Sequence, residues 1–589
     1  MNLSLKSKRN NVYVVMLLLL ITKVVGFFKL RTLAELFGAT HELDIFWAAF
    51  TIPDLLFTIL VAGSINAALI PLFSDILHKK GQEALDKFFN RFTVVLSTFI
   101  ILIASLLFIF TPQITSLLID NENAQQFLNF STQLTHDDIT LFVKLTRIMM
   151  LSPVLLGIST LITAYLQTKK QFFVTSLAPL FYNLAMTLFP YIFTALGYKG
   201  VEVVAISAVL GSLFHLVIQI PTFSKCFKEK FIINTTILKE GVKDKETKVA
   251  IKLALPRTIS LLLEQINVVI NTVISFSLQA GALSAYKFAV SLHQFPINII
   301  GSAIAQTVLP NLAETNEDYE KFKKVLNQSI QQALFLVFPL TGIMLVLRLP
   351  IVRLAYGTGA FDWNDTLLTA WCLALLSISI IGQTVVQILL RAFYALKETW
   401  KPLTAIIIGI IVNILCSYFI TNFFSHYFDW RPILGQISSQ LSDRQETIAT
   451  IKSFFSDFFR WCATRGDSNM GVGGLTFALG AAYIVEMIVL AKQLDKKIHF
   501  IDIEENVKPT LKKLCNSLLM IIGMYLIYKL FNVQLNTTRT ISIIILTMVT
   551  SIYGLLSYWV GAKVFGIPEV DVMERKMISI IRKFKGNNR

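Results

Sequence analysis

Fourteen apolar segments, each long enough to cross a bilayer as a helix, constrain this chain more than any other feature. Their approximate limits are 11–37, 44–77, 88–113, 141–167, 171–197, 200–224, 248–279, 283–311, 323–348, 366–395, 402–424, 471–492, 509–531 and 538–563. In hydrocarbon every backbone N–H and C=O must be satisfied internally, and runs of this length do so as helices. Only 15% of the 589 residues are charged, against roughly a quarter in soluble chains. The expectation is an all-α polytopic membrane protein with 14 transmembrane helices. The net charge of +16 does not imply nucleic acid, because no basic stretch is interleaved with aromatics. Lys and Arg gather instead in alternate loops: HKKGQEALDKFFNR, SKCFKEKF, EDYEKFKK, ALKETWKP and KQLDKKIHF. By the positive-inside rule these loops and both termini are cytoplasmic.

The organisation is a repeat. GATHELDIFWAAFTIP (38–53) and GALSAYKFAVSLHQFP (281–296) share their Gly-Ala start and apolar-Pro end. Each leads into a Gly-Ser pair and a second proline (Pro71 and Pro310). Six spans separate the copies, an even number, so the sequence predicts two parallel six-helix pseudo-repeats around a central cavity, plus two C-terminal helices. The expected parts are an N-terminal lobe (1–225), a cytoplasmic linker (226–247) and a second lobe (248–500). Helices 13–14 (501–565) and a basic cytoplasmic tail (566–589) follow. Residues 425–470 form an outside insertion, and ETIATIKSFFSDFFRW within it has helical apolar spacing. It reads as a helix that lies on the outer leaflet or packs on the loop ends, or as a variable insertion without an essential role.

Charge inside a span is costly unless it meets a partner or water. Lys23, Lys29, Asp44 and Asp54 open the first half, and Arg257, Glu264 and Lys287 open the second. Asp44 and Lys287 are equivalent in the repeat, so they are expected to face one hydrated cavity from either side and to bridge it when empty. Lys23, Lys29 and Lys287 are the candidate anion-binding residues, with Arg257 a further one. Snorkelling to interfacial water is the alternative reading for Lys29, Arg31 and Arg257. No Walker sequence, HExxH helix or nucleophile–base pair occurs, so no enzymatic activity and no catalytic residue is expected. The five cysteines make no CxxC pair, so no disulfide framework, metal or cofactor is expected.

VVGFFKLRTLAELFGATHELDIFWAAFTIPDLLFTILVAGSINAALIPLFSD resembles the N-terminal signature of the MurJ/MviN lipid II flippases. FPINIIGSAIAQTVLPNLAE and RAFYALKETWKPLTA extend the resemblance. It implies a transporter of the multidrug/oligosaccharidyl-lipid/polysaccharide exporter superfamily in the bacterial cytoplasmic membrane. The substrate would be lipid II, the undecaprenyl-diphosphate-linked peptidoglycan precursor, flipped by alternating access with its tail beside helices 13–14. Membrane lipids and cell-wall synthesis proteins would be the partners. The family's first-span arginines match Lys23 and Lys29, and its span-2 aspartate matches Asp44. Its span-8 arginine falls on Ser291, one turn after Lys287, which is expected to supply the cation instead. Leu30, Phe57 and Ala62 replace charged family residues. Asn413 matches the span-11 asparagine of a sodium site that some relatives use, but Ser417 stands where an acidic residue is needed, so sodium use is left open. The rival readings are an exporter of drugs or another polyprenyl-linked sugar, and a non-transporting scaffold.

Overall fold

The computed structural model describes residues 2–59, 64–116, 134–315, 317–398, 400–439, 444–535, 537, 539–575 and 578, with the side chains of 2–13, 64–68, 253–257, 260 and 444–446 outside the description. Among the described residues all regular structure is helical. The described residues of the fourteen apolar segments are mostly helical, and among the described residues eleven helices are long and apolar enough to span a membrane. By contact clustering the chain divides into two units, Met1–Ser284 with Thr358–Phe361, and Ala285–Gly357 with Asp362–Arg589.

The first unit holds α1 (Asn2–Phe37), α2 (His41–Phe57), α3 (Ser64–Thr115), α4 (His136–Met149), α5 (Leu151–Thr168), α6 (Phe172–Ala195), α7 (Glu202–Val217), α8 (Ile220–Cys226), α9 (Thr235–Lys243) and α10 (Lys245–Phe276). Helix α3 is two helices joined at Gly81, whose φ of 85° breaks the α-helical run. Helix α4 starts at a capping box in which Thr135 and Asp138 satisfy each other's backbone amides. Helix α1 packs on α6, α6 on α7, α3 on α5, and α10 on α3 and α2. Phe73, Phe89 and Tyr165 are fully buried in the core between α3 and α5.

Residues 226–247 include an ordered helix, not only a connector. Arg91 of α3 pairs with Glu240 at 2.9 Å, and a side chain at Gly241 would meet the Arg91 carbonyl at 2.9 Å. Asp86, fully buried, accepts hydrogen bonds from the Tyr165 hydroxyl (2.6 Å), the Gln82 amide (2.6 Å) and the Lys228 backbone N–H (3.1 Å). A buried carboxylate is tolerated when its lone pairs are filled in this way.

The second unit begins inside α11 (Ala282–Pro296). It continues through α12 (Ser302–Glu314), α13 (Tyr319–Val346), α14 (Arg348–Tyr356), α15 (Trp363–Ala395), α16 (Trp400–Ser425), α17 (Tyr427–Ser439), α18 (Arg444–Ala463), α19 (Val472–Ile498), α20 (Lys508–Gln534) and α21 (Thr540–Val564). Helix α19 packs on α16 and α15, α13 on α15 and α20, and α20 on α21. Phe322, Leu389, Phe393, Leu490 and Met524 are fully buried in its core. Pro296 is followed at once by a π-helical segment, Ile297–Gly301, and in the other repeat copy Thr58 and Ile59 after Pro53 are also π-helical. Proline withholds an N–H from the ladder, and a π turn absorbs the mismatch. Gly63 of the first copy lies outside the described residues.

The repeat also shows in backbone geometry. Gly38 (φ 64°) and Gly281 (φ 86°), the first residues of the two copies, both adopt the left-handed conformation. Gly281 is doubly constrained, because a Cβ there would stand 2.1 Å from the carbonyl oxygen of Ala39.

Candidate functional site

Lys23 and Lys29 both lie on α1. Six residues at 3.6 per turn place them roughly 120° apart around the helix, so they do not share one narrow face. Lys23 is exposed and Lys29 half-buried. The Lys29 side belongs to the packed face of α1. There the Asn183 amide approaches the Thr22 carbonyl at 3.4 Å, beside Gly26. The Lys29 ammonium lies 5.7 Å from the centre of the Tyr182 ring on α6, a cation–π distance. Asp54 of α2 is within electrostatic range of Lys29. Among the described residues neither lysine makes an ion pair within 4 Å. Sequence reading did not single out Tyr182. An aromatic in an apolar helix carries no local mark of a cation beside it.

Asp44 is corrected on one point. It was expected to face a hydrated cavity, but it is 2% exposed. Its carboxylate accepts hydrogen bonds from the Gly281 N–H (2.7 Å), the Ser284 N–H (2.7 Å) and the Ser284 hydroxyl (2.6 Å). The chain around residues 281–284 opens α11, and the first amides of a helix are unsatisfied donors carrying partial positive charge. Asp44 therefore caps the second copy of the repeat from the first. It is the counterpart of an N-cap residue, supplied from a distant point in the sequence.

In the second unit Lys287 and Ser291 are both half-buried, one turn apart on α11. The Tyr356 hydroxyl donates to the Phe288 carbonyl at 3.4 Å, and the Tyr356 ring lies 4.8 Å from that of Phe288. Two residues after Ser291, His293 is buried and shares a 2.7 Å hydrogen bond with Ser379 of α15. The backbone of Arg257 is part of α10, and its side chain lies outside the described residues. Asn413 and Ser417 are fully buried on α16, with the Ser417 hydroxyl 3.4 Å from Asn413 Oδ1. Among the described residues no cluster of three His, Cys, Asp or Glu side chains forms a metal site.

Comparison with known proteins supplies a family. Residues 33–428 match the family model described as lipid II flippase MurJ. A probable lipid II flippase MurJ of Buchnera aphidicola subsp. Acyrthosiphon pisum is 28% identical over 415 residues, covering 70% of this chain and 78% of that protein. A lipid II flippase MurJ of Burkholderia cenocepacia is 24% identical over 413 residues, covering 69% and 77%. A solved structure of lipid II flippase MurJ in an inward closed conformation superposes with a TM-score of 0.67 at 21% identity, covering 94% of this chain and 98% of that one. An inward-facing multidrug resistance transporter of the MATE family reaches 0.58 at 12% identity, covering 82% and 98%. At these identities the structural matches speak to fold alone.

Proposed function

This chain belongs to the MurJ family of lipid II flippases, and from that premise we propose that Lys23 and Lys29 receive the diphosphate of lipid II, with Lys287 as the cation of the second half. The protein is a multi-pass membrane transporter, not an enzyme. Its work is to carry the head group of lipid II across the membrane by alternating access, for peptidoglycan synthesis. Undecaprenyl diphosphate is anionic and cannot cross hydrocarbon unaided, so the carrier must offer cations along the route.

The observation that carries the residue assignment is the pair of in-span lysines without an ion-pair partner among the described residues. Lys23, exposed on α1, keeps its hydration and suits first contact. Lys29 is partly stripped of water, and the Tyr182 ring offsets some of that loss. An ammonium held this way exchanges a weak partner for a diphosphate without first breaking a salt bridge. Ser291 and Arg257 complete the proposed binding set, Ser291 as a neutral donor. Asp44 serves the set indirectly, by fixing the start of the helix that carries Lys287 and Ser291. The basic loops support a cytoplasmic-membrane location with both termini inside and export of the head group outward; the two lobes and the lipid-tail groove at helices 13–14 rest on the repeat and the family resemblance.

Complementation tests this reading. In a bacterium depleted of its essential lipid II flippase, Lys23→Ala and Lys29→Ala should each abolish rescue at normal membrane levels, while Lys→Arg at either site retains it. Tyr182→Phe should retain rescue and Tyr182→Leu reduce it. Full growth with alanine at both lysines would remove them from the binding set. A broader exporter of the superfamily would instead bind lipid-linked saccharides without preferring lipid II in competition.

A further inference from the structure

The insertion between α16 and α19 has an apolar surface larger than its own packing uses. Helix α18 turns Phe454, Phe458 and Trp461 inward. The Phe458 ring packs at a tilt 5.1 Å from that of Phe423 at the end of α16, and Trp461 lies 6.3 Å from the same ring. On the 3.6-residue wheel the apolar arc continues past this packed face through Ile451, Ile448, Phe455 and Phe459. Phe455 and Phe459 are 56% and 70% exposed, and Ile448 57%. Ser453, Asp457 and Arg460 occupy the opposite side.

We propose that this face of α18 lies in the outer leaflet of the membrane, as an interfacial helix that fixes the depth of the α16–α19 pair. Three observations select lipid over a protein partner. First, the insertion is fastened to the end of a spanning helix and cannot leave the membrane surface. The Asn422 amide donates to the Cys462 carbonyl (3.2 Å), the Gly466 N–H to the Ser425 hydroxyl (2.7 Å) and the Ser468 N–H to the Ser425 carbonyl (2.9 Å). His426 bridges Asp429 (2.7 Å) and the Thr464 carbonyl (3.1 Å). A side chain at Gly466 would meet the Ser425 carbonyl at 2.6 Å, so this closure is tight.

Second, the uncovered face continues an exposed apolar stripe on a helix long and apolar enough to span the membrane. Along α16 the exposed residues Ile411, Leu415 and Phe419 follow at four-residue intervals. The next position is Phe423, against which Phe458 packs, so the apolar surface passes from α16 to α18. Third, the five basic and five acidic residues of 425–470 cancel. The insertion has no net charge to draw a charged partner, whereas an uncharged leaflet interior accepts bare aromatics. Lys452, at the border of the apolar arc, is placed to extend its ammonium to the head groups. Interfacial helices of this kind sit about 5–10 Å into the boundary between head groups and acyl chains.

The test uses the full chain in vesicles of phosphatidylethanolamine and phosphatidylglycerol. Cys226, Cys416 and Cys515, the cysteines that are not buried, are replaced by alanine, and an environment-sensitive fluorophore is attached to Phe455→Cys, Phe459→Cys or Ser453→Cys. All three positions are on the surface, so the labels leave the packed ring cluster intact. Doxyl-labelled lipid should quench positions 455 and 459 several-fold more than 453, and aqueous iodide should show the reverse order. Equal iodide quenching of all three would place the helix in water. Protection of 455 and 459 from both quenchers would mean that protein covers the face. Either result overturns the proposal.

Discussion

A carboxylate without a cation beside it survives inside a membrane protein only if neutral donors fill its lone pairs, and Asp44 does so with three. Removing it strands the Gly281 and Ser284 amides and a hydroxyl in a dry site, where each unpaired group costs on the order of 1–3 kcal/mol. Asp44→Ala should therefore lower the thermal unfolding midpoint in detergent more than Asp44→Asn, which keeps one acceptor. Equal, small shifts for both would show that the amides find other partners. Gly281→Ala should be worse than a usual glycine change, because its φ of 86° and the Ala39 carbonyl 2.1 Å from the new methyl act together. Both outcomes would impair transport by loosening α11, which is distinct from the loss at Lys23 or Lys29, where stability should stay unchanged.

Among the elements, α20 carries the other instructive charge. Lys513 is fully buried, pairs with Glu569 at 2.8 Å and donates to the Gln331 side chain of α13 at 2.5 Å. The segment beyond α21 is thereby tied to the second unit's core, where Ile567 and Val570 are 2% exposed. Breaking a buried pair by removing one partner costs roughly 3–5 kcal/mol, whereas replacing both by apolar groups is often near neutral. Lys513→Ala should thus destabilise strongly in a thermal unfolding assay, and Lys513→Met with Glu569→Leu should recover most of the loss. A double variant as unstable as the single one would mean that Gln331 and the packing, not the ion pair, hold the segment.

For the whole molecule, the direction of transport follows from which face the basic loops occupy. Cysteine substituted at Gly435 in the insertion should be labelled in intact cells by a membrane-impermeant maleimide, and cysteine at Lys239 in α9 should not until the cells are opened. The reverse pattern would invert the orientation and with it the proposed export.

Helix position was legible along the chain because it depends on local properties. Apolar length and 3.6-residue periodicity act over neighbouring residues, and the described residues of the fourteen segments are mostly helical. The family resemblance, the repeat and the in-span charges were also in the sequence. What each charge does was not. Asp44 and Lys29 look alike as isolated charges in apolar runs, yet one meets backbone amides 237 and 240 residues away and the other an aromatic ring on α6. Equivalence in the repeat suggested a hydrated setting for Asp44; the carboxylate is buried and fills the amides at the start of the helix that carries Lys287. Likewise α10 opens the second repeat in sequence but packs with α2 and α3 in the first unit. Period and composition fix which residues become helix and which face is apolar. Only the close fit of distant surfaces decides which donor, ring or carboxylate each buried charge meets.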